Sequence, residues 1–196
     1  MSKKHPSAPE KENIWNVPNK LTMIRMALIP VYWVLFFNGH RYWALAAFAV
    51  ASLTDLADGY IARKYNLITN FGKLMDPLAD KLMSVSVMLS QVIAGIVPWP
   101  IFLILMLKEG VMVAGGLALF RREIVVYSHW IGKAAQTFVV LGLLACFFRE
   151  WLEGTLGFPV HLVLLWIGVG LTLCALIHYV RWGLQLYKDK KQGKAQ

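Results

Sequence analysis

Apolar residues run for about twenty positions at a time along this chain, the length that crosses a bilayer as a helix. Short polar or turn-forming stretches punctuate the runs: FNGHRY, GIVPWP and REWLEGTLGFP carry the glycines and prolines expected of connectors. The pattern predicts six membrane-spanning helices, over residues 21–37, 43–65, 71–95, 98–121, 127–148 and 159–187. Ahead of the first, ENIWNVPNK sets Ile14 and Trp15 among charges, which predicts a short interfacial segment within a cytoplasmic tail of residues 1–20. The last helix leaves the membrane as a basic helix and frays into a tail over residues 188–196. The expectation is an all-α polytopic membrane protein with one domain over residues 21–187. The sequence contains no internal repeat, and its connectors leave no room for a second domain.

Composition agrees. Of 196 residues, 58% are hydrophobic and only 16% charged, and the mean hydropathy is +0.53. A soluble domain of this length needs more polar surface. No short apolar region precedes a small-residue cleavage site near the start, so the first span is expected to stay as an anchor. The net charge of +9 is assigned to topology and anionic headgroups, not to nucleic acid. Of 20 Lys and Arg, only Arg41 and Arg149 fall in or beside the connectors after the first, third and fifth spans. Both termini are therefore expected in the cytoplasm. Cys146 and Cys174 lie in apolar runs without metal-ligand spacing and are read as core residues.

Four carboxylates break the apolar pattern. In LTDLADGYIARKYNLITNFGKLMDPLADK they are Asp55, Asp58, Asp76 and Asp80. The second span descends towards the cytoplasm and the third begins there, so Asp55 and Asp80 each reach ~13–15 Å inside that face at the rise of an α-helix. Asp55 and Asp58 are three apart, Asp76 and Asp80 four apart, and each pair shares a helix face. Four such acids repel one another and are costly in hydrocarbon unless cations intervene. Ion pairing within the bundle, a proton or cation pathway, and a water-filled cavity are alternatives. A divalent-cation site is the leading one, and oxygen-only ligands favour Mg²⁺ or Mn²⁺ over zinc. Carboxylate-held cations at a membrane face suit phosphoryl transfer. Gly59 and Gly72 would let backbone approach a nucleotide, and Arg63 would pair with a phosphate. Pro77 marks either the start of the third helix or a bend in it.

The stretch from Asp55 through Gly59, Ala62 and Arg63, then eight residues, then Gly72, Asp76 and Asp80, resembles the signature of the CDP-alcohol phosphotransferase family, DxxDGxxAR followed by GxxxDxxxD. Every fixed position is present, and six helices are also the family architecture. NVPNKLTMIR and DPLADK resemble more particularly the branch whose members make phosphatidylglycerophosphate or cardiolipin. The resemblance implies attack by an acceptor hydroxyl on the pyrophosphate of a CDP-linked alcohol, with release of CMP. It implies a bacterial cell-membrane enzyme with its active site towards the cytoplasm, two Mg²⁺ or Mn²⁺ ions, and a homodimer. Asp55, Asp58 and Asp76 would be the principal metal ligands. Asp80 would be the general base and would also touch a metal. Gly59, Ala62, Arg63 and Gly72 would border the CDP group.

The leading expectation is phosphatidyl transfer from CDP-diacylglycerol, held among membrane lipids, to glycerol 3-phosphate. A cardiolipin synthase using phosphatidylglycerol, another polar acceptor, or a cation or proton transporter are the alternatives. In the branch, an Arg-Glu pair and a GKxKT segment serve the acceptor. Here the first site reads Lys108-Glu109 and the second Gly132-Lys133-Ala134-Ala135-Gln136-Thr137, so the second lysine and its threonine are Ala135 and Gln136. Lys108 and Lys133, with Arg121 and Arg122, are the candidate acceptor-binding cations. His129, Trp130, His178, Trp99 and Trp166 are read as packing or interfacial residues.

Overall fold

The computed structural model describes residues 16–65, 69–120 and 130–191. Among these residues the chain is wholly helical: α1 (Val17–Phe37), α2 (Arg41–Lys64), α3 (Asn70–Ile93), α4 (Trp99–Phe120), α5 (Trp130–Phe147), α6 (Arg149–Leu156) and α7 (Val160–Lys191). The six expected runs become six long helices, with ends shifted by at most four residues. The interfacial segment expected around Ile14 and Trp15 lies outside the described residues. So does the tail beyond Lys191, up to which α7 remains helical.

Among the described residues, three helices are long and apolar enough to cross a membrane: α1, α5, and α7 from Val160 to Leu186. The protein is a membrane protein. Sequence explains why α2 and α3 are less apolar. Asp55, Asp58, Arg63 and Lys64 sit in one, and Lys73, Asp76, Asp80 and Lys81 in the other. On α7, Leu173, Ile177, Val180 and Leu184 form an exposed apolar stripe at helical spacing, which lipid accommodates at no cost and water would not.

The chain forms two compact units, Met1–Val87 and Met88–Gln196, with the boundary inside α3. In the first, α1 packs on α2. Asn16 starts α1 as its N-cap, its side-chain oxygen accepting the Asn19 N–H at 2.9 Å, and Pro18 stands in the first turn, where a missing N–H is harmless. At the other end Asn38 donates both its backbone N–H and its carboxamide to the Val34 carbonyl, at 3.1 and 2.7 Å, stopping the helix. On α2, Ala44, Ala47, Phe48 and Ala51 form a buried stripe of mostly small residues. Small side chains allow close helix approach where lipid supplies no hydrophobic drive.

In the second unit, α7 packs on α5 and also on α4. A Cβ on Gly142 would come 2.7 Å from Leu165 Cγ and 3.1 Å from the Leu165 backbone nitrogen. One on Gly168 would lie 2.8 Å from Val139 Cγ2 and 3.1 Å from the Val139 nitrogen. Each helix thus presses on a glycine of the other. Cys146 is buried in α5 and Cys174 exposed on α7; both are free thiols. REWLEGTL, read from the sequence as part of a connector, forms the short helix α6. Gly157 ends it at φ +76°, a left-handed C-cap whose N–H donates to the Glu153 carbonyl at 2.9 Å. Glu153 Oε1 stands 3.5 Å from Nδ1 of the buried His161 in the first turn of α7.

Candidate active site

The site begins on α1. Asn19, Thr22 and Arg25 recur every third residue, share one face, and are each about 1% exposed within an otherwise apolar helix. Buried polar groups demand partners, and two of these find them at the start of α3. Thr22 Oγ1 lies 2.5 Å from Asp76 Oδ1 and 3.2 Å from the Pro18 carbonyl. A hydroxyl has one proton, and the nearer, acidic acceptor takes the larger share of it. Asn19 Oδ1 accepts the Thr69 hydroxyl at 3.1 Å, while Thr69 Oγ1 accepts the Gly72 N–H at 3.0 Å. Thr69, only 7% exposed, thus caps the first turn of α3 and ties it to α1.

Gly72 is packed into this junction. A Cβ there would meet Asn19 Oδ1 at 2.8 Å, Thr69 Oγ1 at 3.2 Å and Asp76 Oδ2 at 3.6 Å. Its bareness is required by its neighbours, apart from any nucleotide. One turn on, Asp76 is half-buried, and Asp80, a further turn along, is exposed. Between them Pro77 sits inside α3, which begins seven residues earlier at Asn70. The reading in which the third helix starts near Pro77 is therefore overturned; Thr69 supplies the start instead.

Asp55, Asp58, Gly59, Ala62 and Arg63 all fall on α2 at the expected helical spacing. Their side chains lie outside the described residues. Among the described residues no three metal-ligating side chains converge. What is described fits a hard cation in its chemistry. Asp76 offers carboxylate oxygen, one of its two oxygens is already hydrogen-bonded to a neighbouring helix, and neither His nor Cys stands in this part of the chain.

The candidate acceptor cations belong to the second unit. Lys108, on α4, is mostly buried and its Nζ lies 2.5 Å from Oε1 of Glu109. Lys133 is exposed in the first turn of α5. Arg121 and Arg122 lie outside the described residues. Ala135, where the branch carries a lysine, is 2% exposed, and its carbonyl would lie 3.4 Å from a Cβ on Gly168. The α5–α7 contact leaves a long cationic side chain no room there. The α1 triplet is what reading the motif alone missed. Three polar residues at i, i+3 and i+6 in an apolar helix were its signal.

Fold and site together define a helical membrane protein with an acid motif carried on two helices and buttressed by a third. The chain belongs to the CDP-alcohol phosphatidyltransferase family, whose profile matches residues 15–174. It is thus an enzyme of the phosphatidyltransferase class. It is 30% identical over 175 residues to a Bacillus subtilis protein named CDP-diacylglycerol–glycerol-3-phosphate 3-phosphatidyltransferase, covering 82% of this chain and 91% of that one. A Rickettsia typhi protein of the same name is 52% identical over 71 residues, 35% of this chain and 40% of its own length. A Mycobacterium bovis protein whose name assigns it provisionally as a cardiolipin synthase is 34% identical over 135 residues, 67% of this chain and 64% of that one.

Proposed function

We propose that this enzyme transfers a phosphatidyl group from CDP-diacylglycerol to glycerol 3-phosphate, forming phosphatidylglycerophosphate and CMP. One observation carries the reading: the complete DxxDGxxAR–GxxxDxxxD pattern lies on α2 and α3 of a chain similar along most of its length to the Bacillus subtilis transferase. In this reading Asp55, Asp58, Asp76 and Asp80 hold two Mg²⁺ or Mn²⁺ ions. Such ions, when bound, neutralise pyrophosphate charge and stabilise the departing oxygen. Arg63 pairs with a phosphate, and Gly59, Ala62 and Gly72 border the CDP group. Asp80 takes the proton from the acceptor hydroxyl; the acceptor oxygen bonds to the phosphatidyl phosphorus, and the bond to CMP breaks. The exposure of Asp80 beside the half-buried Asp76 suits a base that must meet a water-soluble acceptor.

Six membrane crossings by α1 to α5 and α7, with both termini and the acids on the cytoplasmic side, complete the proposal. The distribution of Lys and Arg supports that orientation. The diacylglycerol chains then stay in lipid while glycerol 3-phosphate arrives from water. Lys108, Lys133, Arg121 and Arg122 supply positive charge to the acceptor phosphate. Assembly as a homodimer follows from the family resemblance alone. A second reading, transfer to phosphatidylglycerol to give cardiolipin, is favoured by Ala135 at the usual lysine position and by the name of the Mycobacterium bovis relative. Incubating purified protein with CDP-diacylglycerol, Mn²⁺ and one acceptor at a time, then identifying the lipid, decides between them. Phosphatidylglycerophosphate is the expected product; cardiolipin, or no lipid product with any acceptor, would contradict the leading reading.

A further inference from the structure

We propose that Thr22 is a positioning residue for the cation site: the hydroxyl it donates to Asp76 Oδ1 fixes that carboxylate and leaves Oδ2 available to a divalent ion. The inference rests on the metal-dependent reading above and adds to it a residue on another helix, outside the acid motif.

The geometry points this way from both ends of the hydrogen bond. On α1, threonine in a helix divides between two rotamers because its hydroxyl can turn back to the carbonyl four residues earlier. Thr22 adopts that arrangement, with Oγ1 3.2 Å from the Pro18 carbonyl, and the same rotamer brings Oγ1 to 2.5 Å from Asp76 Oδ1. Thr22 is 1% exposed, so water does not compete for the bond. On α3, an aspartate carboxylate turns in a broad torsional well and needs an outside donor to hold one orientation. With Oδ1 engaged, Oδ2 lies 3.6 Å from the point where a Gly72 Cβ would stand, over backbone that carries no side chain. The Thr69–Asn19 bond, at 3.1 Å, keeps α1 and the start of α3 together at this level, so the donor stays in place.

Ligating carboxylates are commonly oriented by such outer donors, and removing one weakens metal binding about 10–100-fold. Valine keeps the shape of threonine and lacks its hydroxyl, serine keeps the hydroxyl, and alanine has neither branch. Mn²⁺ binding to purified, substrate-free protein, read from the loss of the free-ion electron paramagnetic resonance signal, measures the effect without turnover. Thr22→Val should weaken Mn²⁺ binding by about 10–100-fold while thermal unfolding stays near wild type, and Thr22→Ser should bind within about threefold of wild type. In turnover, the Mn²⁺ concentration for half-maximal CMP release should rise with Thr22→Val while the rate at saturating Mn²⁺ recovers. Wild-type Mn²⁺ affinity in folded Thr22→Val would overturn the proposal and leave the metal reading intact. If Thr22→Val is not obtained folded, Thr22→Ser against Thr22→Ala decides, and equal affinities would overturn it. Wild-type protein that binds no Mn²⁺ would sink this inference and the metal reading together.

Discussion

The Asn19 side-chain oxygen accepts the Thr69 hydroxyl at 3.1 Å, and Gly72 packs so closely beneath that oxygen that a methyl group there would stand 2.8 Å from it. Asn19 is short, buried and held by this bond, so it cannot swing aside as a long surface side chain would. Gly72→Ala must therefore displace the start of α3 or break the bond to α1. A displacement near 1 Å at a catalytic constellation costs about 100-fold in rate. Gly72→Ala is expected to lower kcat/KM for CMP release by that order and to lower the unfolding temperature; unchanged kinetics would show the junction to be pliable.

Glycines of the second unit separate by what surrounds them. Gly168 presses on the Val139 backbone, whereas Gly170, one position beyond the next residue on α7, has nothing within 4 Å of its would-be Cβ. Overpacking a tight contact costs about 1–3 kcal/mol. Replacing an open mid-helix glycine with alanine gains about 1 kcal/mol of helix propensity. Gly168→Ala should thus unfold at lower temperature than wild type and Gly170→Ala at equal or higher temperature, measured by thermal denaturation in one detergent.

Lys108 tests the acceptor assignment. Its ammonium is paired with Glu109 at 2.5 Å and mostly shielded from water, so a phosphate would meet it with little solvent screening. Lys108→Met should raise KM for glycerol 3-phosphate by about 10–150-fold, the equivalent of the roughly 1.5–3 kcal/mol of a hydrogen bond to a charged group. KM for CDP-diacylglycerol should stay unchanged. A rise in the lipid KM instead would reassign the residue.

Metal dependence follows from the donor chemistry. Chelation of purified protein should abolish CMP release. Mg²⁺ or Mn²⁺ should restore it and Zn²⁺ should restore it poorly, because a carboxylate set without His or Cys favours hard ions. Chelator-resistant turnover measured by CMP release would exclude this arrangement.

Much of this was readable from the chain because the relevant signals are local. Apolar runs bounded by Asn38-Gly39 and by Pro98 marked helices within a few residues of their ends, since lipid forces each run to satisfy its own backbone. The aspartates could be paired within α2 and within α3 because helical periodicity alone places residues three and four apart on one face. Two features escaped. The helix α6 was hidden by the Gly154 inside it, although Glu150 in its first turn and Gly157 after its end are ordinary helix signals. The partnership of Thr22 with Asp76 joins residues 54 positions apart, and no local pattern reports such a contact. Pro77 left two readings open, and Thr69 at the start of α3 sets aside the one in which the helix begins at the proline.

The most direct test of the whole account is CMP release by Asp80→Asn. Asparagine keeps the size of the side chain and cannot take a proton, and Asp80 is exposed, so the fold should tolerate the change. With CDP-diacylglycerol, glycerol 3-phosphate and Mn²⁺, the variant is expected to release CMP about 10²–10⁴-fold more slowly than wild type, the usual contribution of a general base, with unfolding temperature unchanged. Wild-type CMP release from the folded variant would contradict the account.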